Sequence, residues 1–83
     1  MRIKNRIFEH RLKVIGTNLR AIRIARKEPI MMVAAAIDIS GSCLEAIERG
    51  GYDMDLALLF RLCQYYSVKI GGVFLEGYQY PEI

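Results

Sequence analysis

The sequence predicts an all-α domain of five helices, and three observations carry that reading. Apolar residues recur at helical spacing along most of the chain. Prolines, glycines and capping residues cut it into five segments of helical length. At 83 residues, 53% hydrophobic and 25% charged, it has the size and composition of one globular domain with a modest core.

The first helix is expected at 11–27, with Ile15, Leu19, Ile22 and Arg26 on one stripe and Ala25 beside it. Pro29 forces Glu28 out of the α region, so this helix stops near Lys27. Proline is tolerated in a first turn, and a second helix at 29–37 puts Val33, Ala34 and Ile37 on one face. Ser40 is the N-cap of a third helix at 41–49, where Leu44, Ile47 and Glu48 share a face and Gly50-Gly51 marks the stop. Asp55 caps a fourth at 55–66, where Leu56, Leu59, Phe60, Cys63 and Tyr66 follow the helical period. Ile70, Val73 and Phe74 suit a short fifth helix at 70–76, in a stretch punctuated by Gly71-Gly72 and Gly77. Residues 1–10 are either a basic arm or an extra turn of the first helix, 11–76 the helical domain, and 77–83 a tail. Tyr78, Tyr80 and Ile83 of that tail would pack on a second copy or fold back on the last helix. There is no internal repeat and no linker for a second domain.

The net charge of +3 is unevenly distributed. Residues 1–27 carry nine basic residues against Glu9 alone, a net of +8, and 28–83 carry three against eight acids, a net of −5. A basic first third suits a polyanionic partner, or is simply a solvated helix face. Several classes are excluded. The longest uncharged stretch of the first half, Pro29 to Ile37, is far short of the roughly 18 residues of a membrane span. The basic start at Met1 is followed by no apolar segment of a secretory signal. Cys43 and Cys63 do not form a zinc-type pair and the one histidine, His10, is distant in sequence, so they read as buried thiols of a reducing compartment and no metal is expected. No nucleophile with a base, no paired carboxylates and no glycine-rich phosphate loop stand out, so neither an enzyme nor a cofactor is expected.

Two short helices joined by about three residues, the second capped by Ser, define a helix-turn-helix. The tight part is Val33-Ala34-Ala35-Ala36-Ile37-Asp38-Ile39-Ser40. Ala34 lets the helices approach, Ile39 plugs the junction, and Asp38 takes the left-handed turn position that Gly usually fills. In order along the chain come Ile15-Gly16 with Leu19-Arg20 and Arg23, then Val33-Ala34 with Ile37, then Ile39-Ser40 with Leu44 and Ile47-Glu48-Arg49-Gly50. Leu56, Leu59, Leu62-Cys63, Val68-Lys69-Ile70 and Val73-Phe74 complete the series. On these residues the span from Ile15 to Phe74 resembles the Cro and phage-lambda-repressor-like helix-turn-helix family, also called the xenobiotic-response-element type.

The resemblance implies a lambda-repressor-like DNA-binding domain with 41–49 as the recognition helix in the major groove, double-stranded DNA as partner, and commonly a homodimer on half-sites one helical turn apart. It implies a structural ion pair between Arg23 and Glu48, which removes Arg23 from the phosphate contacts. It also places Gly41, Ser42, Glu45 and Ala46 at base-contacting positions, and Arg20, Arg26, Lys27, Ile30 and Arg49 around the phosphates. Arg2, Lys4 and Arg6 are candidate arm contacts to a neighbouring minor groove.

The sequence departs from the family at the reading positions. Of Ile30, Gly41, Ser42 and Ala46, only Ser42 offers a side-chain hydrogen bond, and no Arg, Gln or Asn is placed for bidentate base recognition. The second helix carries no charge, so Ile30, Met31, Met32 and Ala35 make an apolar outer surface suited to a protein contact. The function expected is a cytoplasmic, bacterial or phage-encoded transcriptional regulator held mostly by phosphate contacts. The alternative is a protein-interaction module on the same fold, in an antitoxin-like or phage regulatory complex.

Overall fold

A computed structural model describes residues 6–51 and 55–75 of the chain, with side chains described from His10 onward. A segment free of proline and glycine from Arg6 to Ile15 lets the first helix start earlier than the apolar stripe suggests, so α1 spans Arg6–Ala25. Of the two readings of the leading segment, the extra helical turn is therefore seen for Arg6–His10, while Arg2 and Lys4 lie outside the described residues. α2 is Ile30–Ala36, α3 Gly41–Glu48 and α4 Leu56–Tyr66. The fifth segment is a 3₁₀ helix, Ile70–Phe74, closed by bonds from Gly72 N to Lys69 O and from Leu75 N to Gly72 O. Two adjacent glycines in five residues cannot sustain an α-helix, and the tighter turn is what remains. The five expected helices are thus four α-helices and one 3₁₀ helix, with no strand among the described residues. No single described helix is long and apolar enough to cross a membrane.

All four α-helices stop in the same way. Lys27, Asp38, Gly50 and Ser67 each take a left-handed φ, between 56° and 76°. In each case that residue's N–H and the next one's return to carbonyls of the last turn, as in Lys27 to Ile24 and Glu28 to Arg23, or Asp38 to Ala35 and Ile39 to Ala34. This is the Schellman closure. Only one of the four carries Gly, and a Cβ in the left-handed region costs about 1 kcal/mol. Ser67→Gly is therefore expected to raise stability by about 0.5–1 kcal/mol, read as a higher urea midpoint at unchanged slope.

The core joins Ile15, Leu19 and Ile22 of α1 to Val33 and Ala34 of α2, Leu44 and Ile47 of α3, Leu59, Leu62, Cys63 and Tyr66 of α4, and Val73. Cys63 is a core thiol, and burial raises its pKa. Two expectations shift. Ala25 is exposed, because α1 ends there and turns toward solvent. On α4 the buried stripe is Leu59, Leu62, Cys63 and Tyr66, while Leu56 and Phe60 are 69% and 50% exposed. Both stripes obey the helical period, and packing against the rest of the chain selects the second. Asn18 sits within the buried stripe of α1, and its Nδ2 donates to Val73 O at 2.7 Å and Leu75 O at 3.0 Å. It ties the 3₁₀ segment, whose carbonyls lack helical partners, to the longest helix.

α1 and α3 cross at a glycine. A Cβ on Gly16 would lie 2.3 Å from Ile47 O and 2.7 Å from Glu48 O. Gly50 makes the second close approach, with its missing Cβ 2.7 Å from Lys13 Cα and its φ at 76°. These two close approaches hold the C-terminal end of α3 against α1.

Candidate nucleic-acid interface

The interface is built on the turn between α2 and α3. Ile37 is the C-cap of α2, Asp38 takes φ 61°, Ile39 packs against the core, and Ser40 in extended conformation caps α3 by accepting from Cys43 N at 3.1 Å. The helix direction changes by 107° across this turn, within the range that defines a helix-turn-helix. Arg61 of α4 donates to Ile37 O, one of the carbonyls the end of α2 leaves open. Nothing in the local sequence marks Arg61 for this task, since its partner is fixed only by tertiary packing.

Arg23 and Glu48 hold the outer edge of the turn to α1. Arg23 Nε donates to Glu48 Oε2 at 2.7 Å and Nη2 to Oε1 at 3.1 Å, a two-pronged pair, and Nη1 donates to Glu28 O at 3.0 Å. The hydrogen bond to Glu48 raises the Arg23 pKa above its ordinary value. Arg23 is therefore occupied inside the fold, as the family resemblance implies.

Next to this pair lies an open cleft of about 270 Å³ lined by Arg20, Arg23, Ile30, Glu45, Glu48 and Arg49. The geometry brings Arg20 of α1, the first residue of α2 and the C-cap of α3 to one surface. Arg20, Glu45 and Arg49 are exposed and Ile30 is half-buried. Ser42 is exposed, with its Oγ 3.3 Å from Ser40 Oγ, and Ala46 is half-buried. Lys27 is exposed at the end of α1 but does not line the cleft.

Two residues do not sit as the sequence suggests. Arg26 lies over the Tyr66 ring at 5.6 Å from its centroid with Nη2 buried, so its guanidinium is turned into the fold. Gly41 is buried, because Met31 folds across it: a Cβ there would stand 2.6 Å from Met31 Sδ. The first position of α3 thus offers a methionine thioether where the sequence shows only a glycine. Arg6 opens α1.

The aromatic side of α4 closes the fold behind Arg26. Tyr65 donates to Glu28 Oε2 at 2.7 Å, which raises its pKa. Burial drives the Tyr66 pKa well above the usual phenol range, and its hydroxyl has no hydrogen-bond partner among the described residues. Both phenols keep their protons in the fold at a pH where unfolded tyrosines ionise, so unfolding releases protons. Stability is accordingly intact below about pH 10 and falls as pH rises beyond it. Tyr66→Phe removes an unsatisfied hydroxyl and keeps the ring under Arg26. It is expected to be neutral or up to about 1 kcal/mol stabilising at pH 7, with a shallower alkaline decline in urea titrations.

No protein-family model matches this chain, and no curated protein does either. Solved structures do. The clp gene regulator ClgR from C. glutamicum superposes with a TM-score of 0.70 at 24% identity, over 75% of this chain and 80% of that one. The restriction-modification controller protein C.AhdI from Aeromonas hydrophila gives 0.69 at 20% identity, over 77% and 96%. A hypothetical transcription factor, NHTF, from Neisseria gives 0.75 at 15% identity, over 93% and 86%. With the capped α2–α3 turn in place, this chain has a helix-turn-helix fold, shared with these three structures.

Proposed function

We propose that this chain is a DNA-binding transcriptional regulator whose affinity comes mostly from phosphate contacts, with little base readout through side-chain hydrogen bonds. The observation that carries the proposal is the convergence of Arg20, Arg49 and the start of α2 on one cleft, with Ser42 of α3 exposed as well. Two guanidinium groups flanking a projecting helix complement a phosphate backbone. The regulatory role agrees with what the three structural neighbours are named for. Action in the cytoplasm, as a dimer on paired half-sites, belongs to the same proposal.

The test is binding to random duplex DNA across a salt series. The logarithm of affinity is expected to fall linearly with the logarithm of salt concentration. Arg20→Ala and Arg49→Ala should each reduce that slope by about 1. No binding at low salt, or an unchanged slope in both variants, would sink the assignment.

A second reading has one observation in its favour: Met31 and Met32 are 67% and 57% exposed, next to exposed Ala35 and Ala36. On that reading the outer face of α2, with Ile30 at its edge, binds another protein chain. Met31→Lys combined with Met32→Glu would then abolish concentration-dependent association in sedimentation, whereas the DNA reading leaves sedimentation unchanged.

A further inference from the structure

We propose that Met31 is the base-reading residue of this protein, and that it recognises the 5-methyl group of thymine in the major groove. The inference rests on the DNA reading above. Met31 Sδ and Cε lie 2.6 and 3.7 Å from the point where a Cβ on Gly41 would stand, and Ile30 Cγ2 is 3.7 Å from the same point. Despite that seat on α3, Met31 is 67% exposed. The thioether therefore stands at the first turn of the recognition helix, where a side chain from position 41 itself is missing. Arg20 and Arg49, in the cleft that Ile30 also lines, supply the positive charge that brings a phosphate backbone to this edge.

The chemistry of the groove then selects the ligand. Each base pair shows the major groove a pattern of donors and acceptors, and the thymine methyl is the apolar feature of that code. A thioether pressed on a cytosine amine or a purine acceptor strips water from a polar group and returns no hydrogen bond, which is unfavourable. Against a methyl the same contact gains dispersion and buries apolar surface. An unbranched, polarisable side chain also adapts to variation in step geometry.

The experiment compares two duplexes of the same A·T-rich sequence and length, one with thymine and the other with uracil at every thymine position. The two carry equal charge and the same hydrogen-bonding groups, and differ only in the methyls. The thymine duplex is expected to bind more tightly, by about fourfold for each methyl buried. Met31→Gln, similar in length but polar, should remove the difference between the two duplexes, which carry the same adenines. Equal affinity of the unaltered protein for both, or a thymine preference that persists in Met31→Gln, overturns the inference while leaving the DNA reading standing. Failure to bind either duplex at low salt overturns the DNA reading and this inference with it.

Discussion

Gly16→Ala is expected to lower the thermal midpoint by about 10 °C, even though it puts a better helix former inside a helix. Propensity alone favours alanine there by about 1 kcal/mol. The crossing reverses the sign. The added methyl would stand 2.3 and 2.7 Å from two carbonyl oxygens of α3, and both belong to the backbone. A flexible side chain can swing aside, but a helix backbone moves only as a unit. α1 and α3 must separate, which loosens Leu19 and Ile22 against Leu44 and Ile47, all at most 1% exposed. Overpacking costs about 1–3 kcal/mol, and a clash this short with backbone belongs at the upper end, so about 2 kcal/mol remain after the propensity gain, or about 8–16 °C in a domain of this size. Gly41→Ala is the control. Its Cβ also meets a short contact, but with the thioether of Met31, so that variant should melt within a few degrees of the parent. Differential scanning calorimetry of both would decide, and a Gly16→Ala midpoint at or above the parent's would refute the crossing argument.

Arg23→Ala is expected to cost about 3 kcal/mol. The cost comes from what stays behind: the Glu48 carboxylate, 3% exposed, would lose both of its charged hydrogen bonds. The Glu28 carbonyl at the end of α1 would lose its donor as well. Glu48→Ala should be milder, because the Arg23 side chain is 14% exposed and can turn toward water. Lysine at position 23 would carry the charge without the planar fork, and should recover only part of the loss. The double change Arg23→Met with Glu48→Leu removes both charges together and should lie closer to the parent than Arg23→Ala does. Urea midpoints at fixed slope measure all four. A double variant no better than Arg23→Ala would mean that the pair is worth more than the desolvation it repays.

What the sequence disclosed follows from the range over which each interaction acts. Ser40 and Asp55 were legible as caps because each bonds an amide three residues on, Cys43 N and Leu58 N. Asp38 was legible as a left-handed stop for the same reason. The register of α4 was not, because Leu56 and Phe60 satisfy the helical period as well as Leu62 does, and only packing into the common core and against the 3₁₀ segment separates them. Asn18 left a usable signal, a polar residue inside an apolar stripe between Ile15 and Leu19. Among the basic residues of α1 and the turn after it, the ring of Tyr66, forty positions away, draws in Arg26, and Glu48 engages Arg23. Arg20 remains at the cleft. The tail residues Tyr78, Tyr80 and Ile83 lie outside the described residues.

The seat of Met31 on Gly41 makes two positions on different helices interdependent. A longer residue at 41 evicts the thioether, and a shorter residue at 31 leaves the glycine bare. On the proposed DNA reading, a change in α3 alone would therefore alter two contacts at once. Gly41→Gln should be tried together with Met31→Ala, so that a glutamine amide takes the space the sulfur gives up.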